Sequence, residues 1–239
     1  IGLAELEKIH GEMRVLGEKL FGLSDLPAIT ARLRNDPALH FATEAEVEGK
    51  AAEALARATA AMPRFFGQLP VAGCVVKRVP DYEAPFTTIA YYNQAVPGEK
   101  PGEYRINVYA PTTRPRYEAE VLAWHEAIPG HHLQIAIAQE LPAMPAFRRH
   151  LGTTSYVEGW ALYTERLAEE MGLYSGDLDR MGMLSFDTWR ASRLVVDTGL
   201  HLLGWSRQRA IDYFVENSPQ AVNNIVNEVD RYIGYIGQA

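Results

Sequence analysis

Apolar residues recur at helical spacing from the start of the chain. Leu3, Leu6, Ile9, Met13, Leu16 and Leu20 predict an amphipathic helix over residues 3–21. A second helix is predicted over 43–62, where Thr43 and Glu46 give the Thr-x-x-Glu pattern of a capping box ahead of an alanine-rich run. The pattern changes between 68 and 110. Runs rich in β-formers at 71–79, 87–92 and 104–109, separated by proline and glycine, predict three short strands and a small sheet. Residues 94–103, with Pro97, Gly98, Pro101 and Gly102, read as a long loop. From Tyr117 onward helical spacing returns, and helices are expected near 115–140, 154–172, 177–205, 206–216 and 218–233. Asp177 and Ser218 suit N-cap positions, and Pro219 suits a first helical position. The expected fold class is mostly α with a small β-sheet (α+β). The sheet, at about 68–110, precedes the active-site helices at about 115–205, and residues 1–239 form a single region.

Composition narrows the function classes. Hydrophobic residues make up 47% and charged residues 22% of 239 positions, ordinary values for a globular protein. The formal net charge of -7 argues against a general nucleic-acid binder, which needs a clustered basic surface. Cys74 is the single cysteine and sits in an apolar run, so it reads as a small buried hydrophobe, with no disulfide and no cysteine-rich zinc knuckle. No apolar run is long enough to span a membrane. No secretory leader is apparent, and the opening Ile1-Gly2-Leu3 without methionine fits a fragment of a longer protein.

The chemistry concentrates in Trp124-His125-Glu126-Ala127-Ile128-Pro129-Gly130-His131-His132-Leu133-Gln134. This segment begins as a zincin motif does, with His-Glu. In the HExxH pattern two histidines one helical turn apart hold zinc, and the glutamate between them is the general base toward water. Here proline occupies position 129. On a straight helix His131 would lie about 120° around from His125, and His132 would share its face but sit about 10.5 Å along the axis. Zinc–nitrogen bonds of about 2.0–2.1 Å allow neither. Pro129 cannot donate to the carbonyl of His125, and Gly130 adds backbone freedom. A break at Pro-Gly therefore bulges the helix and brings a second histidine back: His131 is the expected ligand and His132 the alternative. The third ligand is expected from the next helix, at Glu158, beside Gly159, whose missing side chain would allow close helix approach. Glu165, about two turns on, reads as an acid supporting the site or a surface acid.

The ordered set of motifs resembles the bacterial domain-of-unknown-function 885 family. It runs from His125-Glu126-x-x-Pro129-Gly130-His131-His132-Leu133-Gln134 through Glu158-Gly159-Trp160-Ala161-Leu162-Tyr163-x-Glu165-Arg166-Leu167 to Arg193-Leu194-Val195-Val196-Asp197-Thr198-Gly199-Leu200-His201. Ala90-Tyr91-Tyr92 and Arg231-Tyr232-Ile233 extend the likeness. The resemblance implies a zincin-like helical metallopeptidase architecture with Zn2+ as cofactor. It also implies that this chain corresponds to the C-terminal half of a longer, often exported or lipoprotein-type protein. Where family members have Pro-Gly-Gln-Ala and continue, this chain reads Ile236-Gly237-Gln238-Ala239.

Outside the motif, Arg193, Asp197 and His201 share one face of an expected helix whose surroundings are apolar nearly all round, so the helix is expected to be buried. His201 is a candidate for binding substrate or stabilising an oxyanion, and Asp197 for orienting a zinc histidine. Arg231 and Tyr232 are candidates for the oxyanion or for a substrate carboxylate. Tyr91 and Tyr92 are expected to line the cleft, and strand 104–109 to serve as an edge that pairs with an extended peptide. The expected reaction is hydrolysis of a peptide or small amide. His125, His131 and Glu158 hold zinc, and Glu126 takes a proton from the attacking water and passes it to the leaving nitrogen. The rival readings are a non-catalytic metal-binding module, a hydrolase of a non-peptide amide or ester, and an iron(II) site.

Overall fold

The structure, a computed structural model, describes residues 1–141, 145, 147–148 and 152–237. Gln238 and Ala239 of the terminal segment lie outside the described residues. The chain is mostly helical with a small three-stranded sheet, and it divides into two compact units.

The first unit comprises Ile1–His40, Thr113–Glu118 and Gly176–Ala239. It contains α1 (Gly2–Phe21), α2 (Leu26–Asn35) and three later helices described below. Helix α1 follows the predicted stripe: Leu6, Ile9, Met13 and Leu16 are buried while Leu3 is exposed. Helix α2 was not foreseen. Its signals are an Asp25 cap that accepts from the Ala28 amide, Pro27 in the first turn, and the buried face Leu26, Ile29, Thr30 and Leu33.

The second unit comprises Phe41–Thr112 and Ala119–Ser175. Its first helix is α3 (Glu44–Ala61), capped by Thr43, whose side chain accepts from the Glu46 amide while Glu46 accepts from the Ala42 amide. The strands β1 (Cys74–Arg78), β2 (Ala90–Asn93) and β3 (Gly102–Ile106) follow. Their order is β1-β3-β2, parallel for β1 with β3 and antiparallel for β2 with β3. This corrects the expectation of an edge strand before the motif. Both sides of β3 are taken by ladders, with Tyr104 opposite Val76 on one side and Tyr92 on the other, so β3 has no free edge for a peptide. Burial pushes the Cys74 thiol up to about 12, in keeping with a small unreactive hydrophobe. The unit continues with α4 (Ala119–Glu126), α5 (His131–Glu140) and α6 (Thr154–Glu170).

The later helices of the first unit are α7 (Asp177–His201), α8 (Arg207–Asn217) and α9 (Val222–Gly234). Helix α7 begins after Gly176, so Asp177 is its first residue and not its cap. Ser218 closes α8 instead of opening α9. Its hydroxyl is spent on the Phe214 carbonyl, and the Arg34 guanidinium gathers the carbonyls of Val215, Ser218 and Gln220. Nor is α7 buried all round: Leu194 is 39% exposed, and Leu202 and Leu203, at 80% and 65%, lie past its last residue.

Glu118 is buried in this unit, where its carboxylate accepts from the Ser185 hydroxyl and the Gln220 amide. Burial raises its pKa to about 7, more than those hydrogen bonds and the charges of Arg114 and Arg190 lower it. Between the unfolded value of 4.5 and about 7 the folded chain therefore keeps a proton that the unfolded chain has lost. Stability contributed by this group is full below that window and falls as pH rises through it, by an amount on the order of 3 kcal/mol. Glu118→Gln should flatten the decline between pH 5 and 8 in urea melts, and an unchanged slope would remove Glu118 from the account.

Candidate metal centre

The motif builds its site by ending one helix and starting another. Helix α4 stops at Glu126, and Ala127, Ile128, Pro129 and Gly130 turn before α5 begins at His131. The Ile128–Pro129 peptide is cis. The His132 amide reaches back to the Ala127 carbonyl at 3.0 Å, a turn one residue wider than an α-helix. A Cβ at Gly130 would stand 1.9 Å from the carbonyl oxygen of His125 and 2.3 Å from that of Trp124, so only glycine permits this approach.

The break brings the two histidine rings together edge to face, with centroids 4.8 Å apart. The Glu158 carboxylate faces both: one oxygen is 3.5 Å from His125 Nε2, the other 3.8 Å from His131 Nε2. One donor atom from each of His125, His131 and Glu158 lies within 4.8 Å of the others, the one such group among the described residues. Two imidazoles and a carboxylate suit zinc, whose bonds of about 2.0–2.1 Å require the donors to draw in by roughly 1 Å. The Glu158 side chain, 56% exposed, has room to move. Both histidines are nearly buried. The residues therefore fit a divalent cation.

The other motif histidine is committed elsewhere. His132 Nε2–H donates to the Ala72 carbonyl at 3.0 Å, and the Tyr92 hydroxyl donates to its Nδ1 at 2.9 Å. Burial lowers its pKa, in keeping with a neutral ring held between an acceptor and a donor. The geometry therefore gathers His131, and not His132, with His125. The loop that supplies Ala72 is held in turn by Glu140, whose carboxylate accepts from the Val71 and Ala72 amides.

Behind the site, His125 Nδ1–H donates to Glu165 at 2.7 Å, and Glu165 is fully buried. This orients the ring so that Nε2 faces Glu158. Glu165 is thus not a surface acid, and the acid hydrogen-bonded to His125 Nδ1 is Glu165 rather than Asp197. Burial alone would push the His125 pKa down, but Glu158, Glu165 and Glu126 outweigh it and hold the ring at about 9. The same negative surround favours a cation bound at Nε2. Glu126, half-buried at the end of α4, is close enough for its charge to act on His125 and Tyr104. If this group holds zinc, Glu165→Gln should weaken that binding by about 10–100-fold, read by chelator competition, through loss of the charge behind His125.

Gly159 is not a point of close helix approach: a Cβ there would meet nothing within 4 Å. Asp197, His201, Arg231 and Tyr232 belong to the first unit. His201 Nε2–H donates to the Tyr232 carbonyl at 2.8 Å, and Asp197 lies 3.8 Å from the same ring nitrogen. The Tyr232 hydroxyl bonds Glu228 and Trp189, Arg231 pairs with Glu228, and Arg193 stacks over the Tyr232 ring. Tyr91 donates to Glu83.

The family described as "Bacterial protein of unknown function (DUF885)" matches residues 1–239, and the chain belongs to it. Among solved structures it is similar to a candidate lipoprotein from Colwellia psychrerythraea, with 34% identity and a TM-score of 0.93 over 100% of this chain. A candidate lipoprotein of unknown function from Shewanella oneidensis shares the fold, with 18% identity and a TM-score of 0.75 over 99% of this chain. The chain spans 42% of the length of the first and 46% of the second. No curated protein matches the sequence. No helix among the described residues is long and apolar enough to cross a membrane.

Proposed function

We propose that this chain carries the zinc centre of a zincin-like hydrolase that cleaves short peptides, in a protein of the lipoprotein type that its structural neighbours' names describe. The observation that carries the reading is the convergence of His125, His131 and Glu158 within 4.8 Å, in a segment that opens with His-Glu. Zinc bound there would act as a Lewis acid, lowering the pKa of a water toward about 7 and polarising a carbonyl. Glu126 would accept a proton from the attacking water and return it to the leaving nitrogen. Glu165 orients the His125 ring so that it presents Nε2. The base and the two histidines lie in one short segment, whose turn is closed by the bond from the His132 amide to the Ala127 carbonyl.

The test is metal analysis of freshly purified protein, followed by a quenched-peptide library with and without a chelator. Stoichiometric zinc, with cleavage that chelation stops and zinc restores, is the expected result. Zinc without cleavage of any peptide would favour a binding module or a hydrolase of other amides and esters. Iron in place of zinc would favour the oxygen-dependent chemistry that the same donor set supports.

A further inference from the structure

Two side chains of the motif have no part in holding a cation or moving a proton, yet each bridges the elements that do. The Trp160 indole N–H donates to the Pro129 carbonyl at 2.9 Å, inside the break that separates the ligand histidines. The Gln134 amide donates to the Tyr156 carbonyl at 3.1 Å, from the first turns of α5 to the start of α6. Tyr156 and Trp160 flank Glu158 in sequence, so the turn of α6 that carries the carboxylate ligand is fastened on both sides to the segment that carries the histidines.

These bonds meet a specific need. Pro129 and Gly130 interrupt the helical hydrogen bonding that would otherwise fix the position of His131 relative to His125. The Glu158 side chain is 56% exposed, so packing does little to hold it over the histidines. Further along α6 the Thr164 hydroxyl also reaches the Trp124 carbonyl, at 3.3 Å, next to His125. Helix α6 thus touches the backbone on both sides of the break. Donors left to find one another after binding pay an ordering cost that donors already gathered do not.

We propose that Trp160 and Gln134 are positioning residues of the metal centre, clamping the Pro129–Gly130 break against α6 so that His131 and Glu158 are gathered before the ion arrives. The inference rests on the zinc reading above. It differs from a general packing role because it predicts a loss of affinity out of proportion to any loss of stability.

Trp160→Phe removes the indole N–H and keeps an aromatic ring, and Gln134→Met removes the amide donor at similar length. Three measurements are made on wild type and both variants: zinc dissociation constants by chelator competition, melting of the metal-free proteins, and amide hydrogen exchange across 127–134 without metal. Each variant is expected to bind zinc about 10–100-fold more weakly. Metal-free melting should stay near wild type, and exchange should quicken locally at the break. Wild-type affinity in both variants would overturn the proposal, as would a weakening matched by an equal fall in metal-free stability. If wild type itself binds no zinc, the centre is refuted. The exchange data then decide separately whether the indole holds the break, and unchanged exchange would refute the clamp as well.

Discussion

Exchanging Glu126 for glutamine is expected to cut peptide turnover by about 10²–10⁴-fold while leaving zinc content unchanged. Glutamine preserves size and keeps a polar group at the end of α4, but on the proposed mechanism it cannot accept the proton that the attacking water would lose. The three donor atoms gathered at the site come from His125, His131 and Glu158, so the metal content should not depend on Glu126. Measuring both quantities on the same preparation separates the base from the ligands, because His131→Ala should lose metal and activity together. Full activity in Glu126→Gln would assign the proton transfer to another group.

The largest structural effect is expected at Gly130. Replacing it with alanine sets a methyl group 1.9 Å from the His125 carbonyl oxygen and 2.5 Å from its carbon, and both are backbone atoms within the motif. Neither can rotate aside, so the turn itself must open. A cost of about 3 kcal/mol or more is expected, which for a chain of this size lowers the melting midpoint by roughly 6–12 °C. Zinc affinity should fall with it. Gly159→Ala is the matched control. That position lies in a helix with nothing within 4 Å of a new Cβ, and alanine there should gain up to about 1 kcal/mol. If the two substitutions behaved alike, the steric account of the break would be wrong.

The parts of this protein that were legible in the sequence are those governed by local rules. The stripe from Leu6 to Leu16, the Thr43 cap and the mostly helical class with a small sheet follow from periodicity and capping. The need for a break at Pro129–Gly130 followed from helix geometry, since no straight helix can aim both histidines at one point. What escaped was set by contacts distant in sequence. The exposed setting of Gly159 depends on which face of α6 meets the motif. The central place of β3 depends on β1 joining it in parallel, a pairing that composition does not reveal. Helix α2 is short, and its cap and proline were the available signals. Between His131 and His132 the sequence left a choice, and the partners that occupy His132, Tyr92 and Ala72, come from well before the motif.

Glu158 and Glu165 serve the same imidazole from one helix, the first toward Nε2 and the second at Nδ1. A residue inserted or deleted between them would put one carboxylate out of phase with the other by about 100°. Homologues that retain the centre are therefore bound to this interval, however far the rest of the helix has drifted. Its preservation or loss offers a ruler for sorting distant members into those that keep the spacing the proposed centre needs and those that keep only the scaffold.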